Sequence, residues 1–208
     1  MAAKKKKKDV KKTSKENFSL KEEYVKTWDY LKKTKKFIWI IAIVFLVMAL
    51  IGYFVPAPEF ISNQILELIE EILDKTQGMG SRELVTFIIA NNVQASFLGM
   101  IFGFVLGIFP VITVIINGYV LGFVALMSIN LEGASSLLKL LPHGIFELPA
   151  VIIALGTGLK LGTFPFQKNP KKSLRNFLKN SIKVFLLIVL PLLLIAGIIE
   201  GLLIFLIN

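Results

Sequence analysis

The stretch Phe37-Ile38-Trp39-Ile40-Ile41-Ala42-Ile43-Val44-Phe45-Leu46-Val47-Met48-Ala49-Leu50-Ile51-Gly52-Tyr53-Phe54-Val55 runs for nineteen residues without a charge. At about 1.5 Å rise per residue, a helix of that length crosses a hydrocarbon core of about 30 Å. Immediately before it, residues 1–36 hold 14 Lys against 5 acidic residues. A basic stretch followed by an apolar one is also the pattern of a secretory signal. Here, however, Pro56-Ala57-Pro58 follows the run in place of a small-residue cleavage site, so the run reads as a retained span.

Four more runs of similar character follow, at 84–109, 110–129, 145–163 and 184–207. With 208 residues, 55% hydrophobic content and a mean hydropathy of +0.72, the chain is too apolar for an ordinary soluble domain. The expected fold is all-α, a polytopic membrane helical bundle. It comprises a basic cytoplasmic tail with a membrane-surface helix (1–36) and a transmembrane domain (37–208) with five transmembrane helices plus an outer amphipathic helix over 60–76. Only Pro110 divides the second and third runs. It offers no amide hydrogen and marks a tight turn or a kink, with a turn favoured because the joint run is about two crossings long. That turn carries no charge, so it is expected at the surface or shielded by protein within the bilayer.

The net charge of +10 sits mostly in the first 36 residues, against a membrane, and so implies lipid and not nucleic acid as the partner. The stretch 164–183 adds Lys168, Lys171, Lys172, Arg175, Lys179 and Lys183 with no acid. The positive-inside rule puts both segments in the cytoplasm, giving a multi-pass cell-membrane protein with its N-terminus inside and its C-terminus outside. The outer segment after 56 has acids at Glu67, Glu70, Glu71 and Asp74 on one helical face, with Ile61, Ile65, Leu68, Ile69 and Ile72 opposite. Such a helix packs over the bundle, lies in the lipid interface or docks a partner. Ser81 is the expected N-cap of the second span, with Glu83 complementing its dipole.

Small residues recur every four positions at Ala95, Gly99, Gly103 and Gly107, a ridge that lets another backbone come close. Gly118 and Gly122 offer a matching groove within the protomer. The alternative is a seam between copies, and a homo-oligomer is expected. Polar positions gather in the outer half: Asn91, Asn92 and Gln94 in the second run, Asn117 in the third, His143 and Glu147 at the mouth of the fourth, and Glu200 in the fifth. A carboxylate in hydrocarbon costs about 2.5–3.5 kcal/mol on insertion scales, which makes Glu147 a functional candidate. His143 and Glu147 stand four apart and share a helical face. They serve as a structural pair, a ligand or ion site, or a hydrolytic centre. The chain has no Cys and a single His, so no metal and no cofactor is assigned. A catalytic role also lacks a visible nucleophile.

Asn92, Gly99, Gly103, Asn117, Gly118, Gly122, Pro142, His143, Gly144, Glu147, Pro149, Ala150 and Gly162 together resemble the signature of the stage II sporulation protein M family of integral membrane proteins. The likeness runs from about Ser81 to Gly162. In spore-forming bacteria it implies a membrane subunit of a machine that remodels the cell wall beside peptidoglycan hydrolases. Related chains also occur in organisms with neither spores nor peptidoglycan, so the pathway is not carried over, and the Lys-rich tail is outside the pattern. The reading is a non-enzymatic scaffold or anchoring subunit of a membrane or envelope-remodelling complex, with envelope proteins as partners. The alternatives are a transporter or channel using the polar pocket, or a membrane-embedded hydrolase. The inner halves of the runs, almost purely apolar, weigh against conduction.

Overall fold

The computed structural model describes residues 19–207, and the side chains of all of these except 138–143, 146 and 200–207. The described residues form helices and no strand: α1 (Leu20–Phe54), α2 (Glu59–Thr76), α3 (Ser81–Ile101), α4 (Ile108–Glu132), α5 (Leu137–Leu161), α6 (Pro170–Val184) and α7 (Leu190–Ile207). Four stretches are long and apolar enough to cross a membrane: Leu20–Phe54, Ser81–Phe104, Ile108–Glu132 and Pro170–Ile199. The last is continuous because a π-helical segment, Phe185–Val189, joins α6 to α7.

The surface helix and the first span expected from the sequence are one helix. α1 has 35 residues, about 52 Å at the usual rise, because Leu31-Lys32-Lys33-Thr34-Lys35-Lys36 contains no Gly or Pro to stop it. Its buried positions, Thr27, Leu31, Thr34, Ile41, Phe45 and Gly52, fall into two series spaced by multiples of seven, the seam of a helix that stays in contact along its whole length. Pro56 and Pro58 then end it, and Pro58 is the N-cap of α2.

Glycine sets the distance between helices. A Cβ on Gly118 would strike the Phe45 carbonyl, one on Gly122 the Ala49 carbonyl, and one on Gly52 the Tyr119 carbonyl, so α1 and α4 run parallel with their backbones touching. Gly103 and Gly158 abut in the same way and join α3 to α5, while Gly156 sits on Ile38 of α1. Gly118 and Gly122 therefore face α1, not the ridge on α3. Gly99 and Gly103 lie against α5, with Leu155 over Gly99. Met100, Ile41, Leu155 and Val114 fill the interior around these contacts.

The chain reverses between α3 and α4 earlier than Pro110. A 3₁₀ turn at Phe102–Phe104 leads into Leu106 (φ 52°) and Gly107 (φ 73°), two successive left-handed residues that turn the backbone. A left-handed leucine costs about 1–3 kcal/mol, and the Gly107 amide donates to the Gly103 carbonyl at 2.8 Å. Gly107, expected as a packing residue, is thus the turn glycine, with Gly162 backed onto its amide nitrogen. Pro110 falls in the first turn of α4, where helix amides have no intrahelical partner. At the start of α3 the cap is Gly80 and not Ser81. The Gly80 amide donates to the Glu83 carboxylate at 3.1 Å.

α2 is held loosely. Ile65 is buried, Leu66 and Ile69 are half-buried, and Phe60, Leu68 and Ile72 are exposed. Between α2 and the α1–α4 pair lies an apolar space of about 630 Å³, lined by residues that include Met48, Ile51, Leu68, Ile116 and Tyr119.

Candidate functional site

The glycine contacts fix the register of the polar positions. α3 and α5 run in the same direction, with Gly99 facing Leu155. Eight residues back along each helix, Asn91 stands level with Glu147. α7 runs against α3, with Gly197 on Ile89 and the Phe185 ring 5.1 Å from that of Phe97. Glu200 therefore lies about one turn beyond Asn91 and Asn92. Thr113 approaches Gly99, which sets Asn117 about one turn to the other side of them. Positions from four helices thus share a slab about two to three turns thick.

Sharing a depth does not make them one cluster. Asn91, Gln94 and Asn117 are exposed, and Asn92 and Glu147 are half-buried. The Asn117 amide donates to the Thr113 carbonyl of its own helix at 2.8 Å, so its nitrogen is already used. His143 stands one turn before Glu147 on α5, but its side chain, like that of Glu200, lies outside the described residues. No three of the described His, Asp or Glu side chains converge as metal ligands would.

At the opposite end of the bundle is a residue that the sequence reading passed over. Lys160, in the last turn of α5, is 9% exposed. Its Nζ donates to Thr34 Oγ1 at 2.9 Å and stands 3.9 Å from the centroid of the Tyr30 ring and 5.6 Å from that of Phe177. α1 supplies Thr27, Tyr30 and Thr34 from one face, and α6 supplies Phe177 and Ser181. Among the described residues no carboxylate pairs with Lys160. The acid closest to this wedge in the helix order, Glu23, is taken by Lys183 of α6 and by Lys26 at 3.4 Å. The available signal was a lone lysine in the run 145–163, but its aromatic and hydroxyl neighbours are far away in sequence.

A family model described as stage II sporulation protein M matches residues 41–203, from the middle of α1 into α7. The chain belongs to the stage II sporulation protein M family. An uncharacterized protein of Methanocaldococcus jannaschii is 30% identical over 172 residues, covering 79% of this chain and 76% of that protein. No solved structure matches. As a member of this family the protein is a membrane protein with several apolar helices. The basic stretch before Ile41 lies outside the matched residues.

Proposed function

We propose that this stage II sporulation protein M family member is a non-enzymatic scaffold or anchoring subunit of a membrane or envelope-remodelling complex. It crosses the membrane five times, with its N-terminus in the cytoplasm and its C-terminus outside, and assembles as a homo-oligomer. The observation that carries this reading is the set of backbone-to-backbone glycine contacts. A protein that alternates between open and closed states needs surfaces that slide, whereas seams with no room for a Cβ resist sliding. The five-span count is supported by the alternation of helix directions. α1, α4 and α7 run one way and α3 and α5 the other, as successive crossings require.

A second reading, a transporter or channel, has one observation in its favour: the common depth of Asn91, Asn92, Asn117, Glu147 and Glu200. Because the glycine faces are spent inside the protomer, self-association would use lipid-facing surfaces. The stacked Phe102, Phe104 and Phe109 at the α3–α4 turn are one such surface. Single cysteines at Lys12, Lys172, Gln77 and Asn208 test the topology. An impermeant thiol reagent outside intact cells should reach only the last two, and labelling of Lys172→Cys would overturn the assignment. A monomeric mass for the protein in lipid nanodiscs would remove the oligomer.

A further inference from the structure

We propose that Lys160, with the hydroxyls of Thr27, Tyr30 and Ser181, forms a binding site for a phosphate group between α1, α5 and α6. The phosphate is supplied either by a lipid head group or by free phosphate. The inference does not depend on the scaffold reading or on which end of the bundle faces the cytoplasm.

The first reason is an uncompensated cation. An ammonium removed from water without a counter-charge costs several kcal/mol. A lysine that merely snorkelled would carry its head into solvent. Lys160 instead keeps its ammonium inside, donating to Thr34 and lying against the Tyr30 ring. One hydrogen bond and one ring leave part of its three-donor capacity unused.

The second reason is independent of charge. Thr27 Oγ1, Tyr30 Oη and Ser181 Oγ are buried and have no hydrogen-bond partner. Folded proteins rarely leave even one such group unpaired. Here three occur in the same wedge of helices as the unpaired ammonium, with Thr27 and Tyr30 on the α1 face that also bears Thr34. The Tyr30 hydroxyl lies beside Ser181 and Thr34 without meeting hydrogen-bond geometry with either. All four groups can donate. Water would satisfy the hydroxyls but not the charge, whereas an anion with several acceptor oxygens satisfies both, and phosphate presents such oxygens.

The surroundings are suited to attracting it. Lys33 adds its positive field at Lys160, and α6 carries Lys171, Lys172, Arg175 and Lys179. Glu23 is already neutralised by its lysines. Lys160 precedes the end of α5 by one residue, at the depth where lipid phosphates lie. On the same turns of α1, Tyr24 and Trp28 are exposed, as aromatic side chains are at a membrane interface. They line an open groove of about 430 Å³ with Lys32 and Ile188.

The test uses the full chain, delipidated in maltoside detergent, with inorganic phosphate and a short-chain phosphatidic acid as separate probes against chloride at matched ionic strength. Thermal stabilisation by phosphate assigns the free anion; stabilisation by the lipid alone assigns the head group. Lys160→Gln should weaken whichever probe binds by about tenfold or more, the loss of one charge-assisted contact. Ser181→Ala and Tyr30→Phe, which keep shape and packing, should leave the unliganded protein as stable as wild type while reducing the probe's effect. These two variants decide the matter if Lys160→Gln does not fold. No stabilisation by either probe, or an undiminished effect in the Tyr30→Phe, Ser181→Ala double variant, overturns the site.

Discussion

α4 and α2 both pack against α1, by opposite means. α4 lies so close that Gly118, Gly122 and Gly52 touch carbonyls of the facing helix. α2 rests on Ile65 and leaves an apolar space of about 630 Å³ beneath it. The difference follows from the surroundings of each pair. Between membrane-buried helices, lipid tails are as apolar as leucine, so burying side chains gains little and close backbone approach supplies the attraction. α2 carries Glu67, Glu70, Glu71 and Asp74 on one face, so it belongs at a water boundary. There, removing Ile65 from water is itself the driving force.

The contrast breaks most sharply at Gly122. A Cβ there falls on the Ala49 carbonyl, which no rotamer change can relieve. Gly122→Val should therefore cost about 3 kcal/mol or more, the upper end for overpacking, read as loss of the folded peak in size-exclusion chromatography or a large fall in Tm. Gly144→Ala, whose new methyl would lie 3.6 Å from Leu148 Cδ1, should change stability by no more than about 0.5–1 kcal/mol, in the stabilising direction expected for a helix. A Gly122→Val protein as stable as wild type would mean that the seams do not hold the bundle.

Next in size is Ile65→Asp. Losing this buried side chain should cost about 1.5–3 kcal/mol and release α2 to proteases while the membrane helices stay folded. Global unfolding instead would show that α2 is a full member of the bundle. Glu147 comes third. Glu147→Gln preserves shape and hydrogen bonding, and a structural role predicts a loss within about 1 kcal/mol, against about 1–3 kcal/mol for Glu147→Leu. A Gln variant that folds and assembles normally but fails to complement a deletion strain would point to chemistry at that position. Smallest of all, Glu70→Lys should shift Tm by no more than the equivalent of about 0.5 kcal/mol. Loss of a partner without loss of stability would turn the acidic face from a solvated surface into a docking one.

The apolar runs and the phase of α2 were legible because each is a property of consecutive residues. The reversal between α3 and α4 was misplaced because proline is a conspicuous breaker. The actual turn uses a leucine at φ 52°, a conformation that leucine gives no reason to expect. The glycine ridge at 99 and 103 announced a close approach but not its partner. That choice depends on the packing of α4 against α1, which leaves α5 to cover α3. The depth of Asn91, Asn117 and Glu147 could be counted from the chain, whereas their facing directions required the helix axes. Lys160 shows the limit most clearly. Its hydrogen-bond partner Thr34 is 126 residues away, and nothing near it in sequence indicates that its ammonium is buried.

The π segment between α6 and α7 has a consequence for what insertions and deletions this chain can accept. Ser181, Phe185, Val189 and Leu193 are all buried, each four residues after the last. In a uniform α-helix a strict four-residue stripe drifts by about 40° at every step and soon leaves its partner. The wider turn at Phe185–Val189 absorbs that drift and keeps the stripe on one side. Removing one residue there would restore α-helical winding and rotate α6, with its lysines, by about 100° relative to α7. The bearing of the basic platform is therefore encoded in residue count as much as in residue type, and a neutral-looking one-residue deletion in this segment would aim every charge on α6 in a new direction.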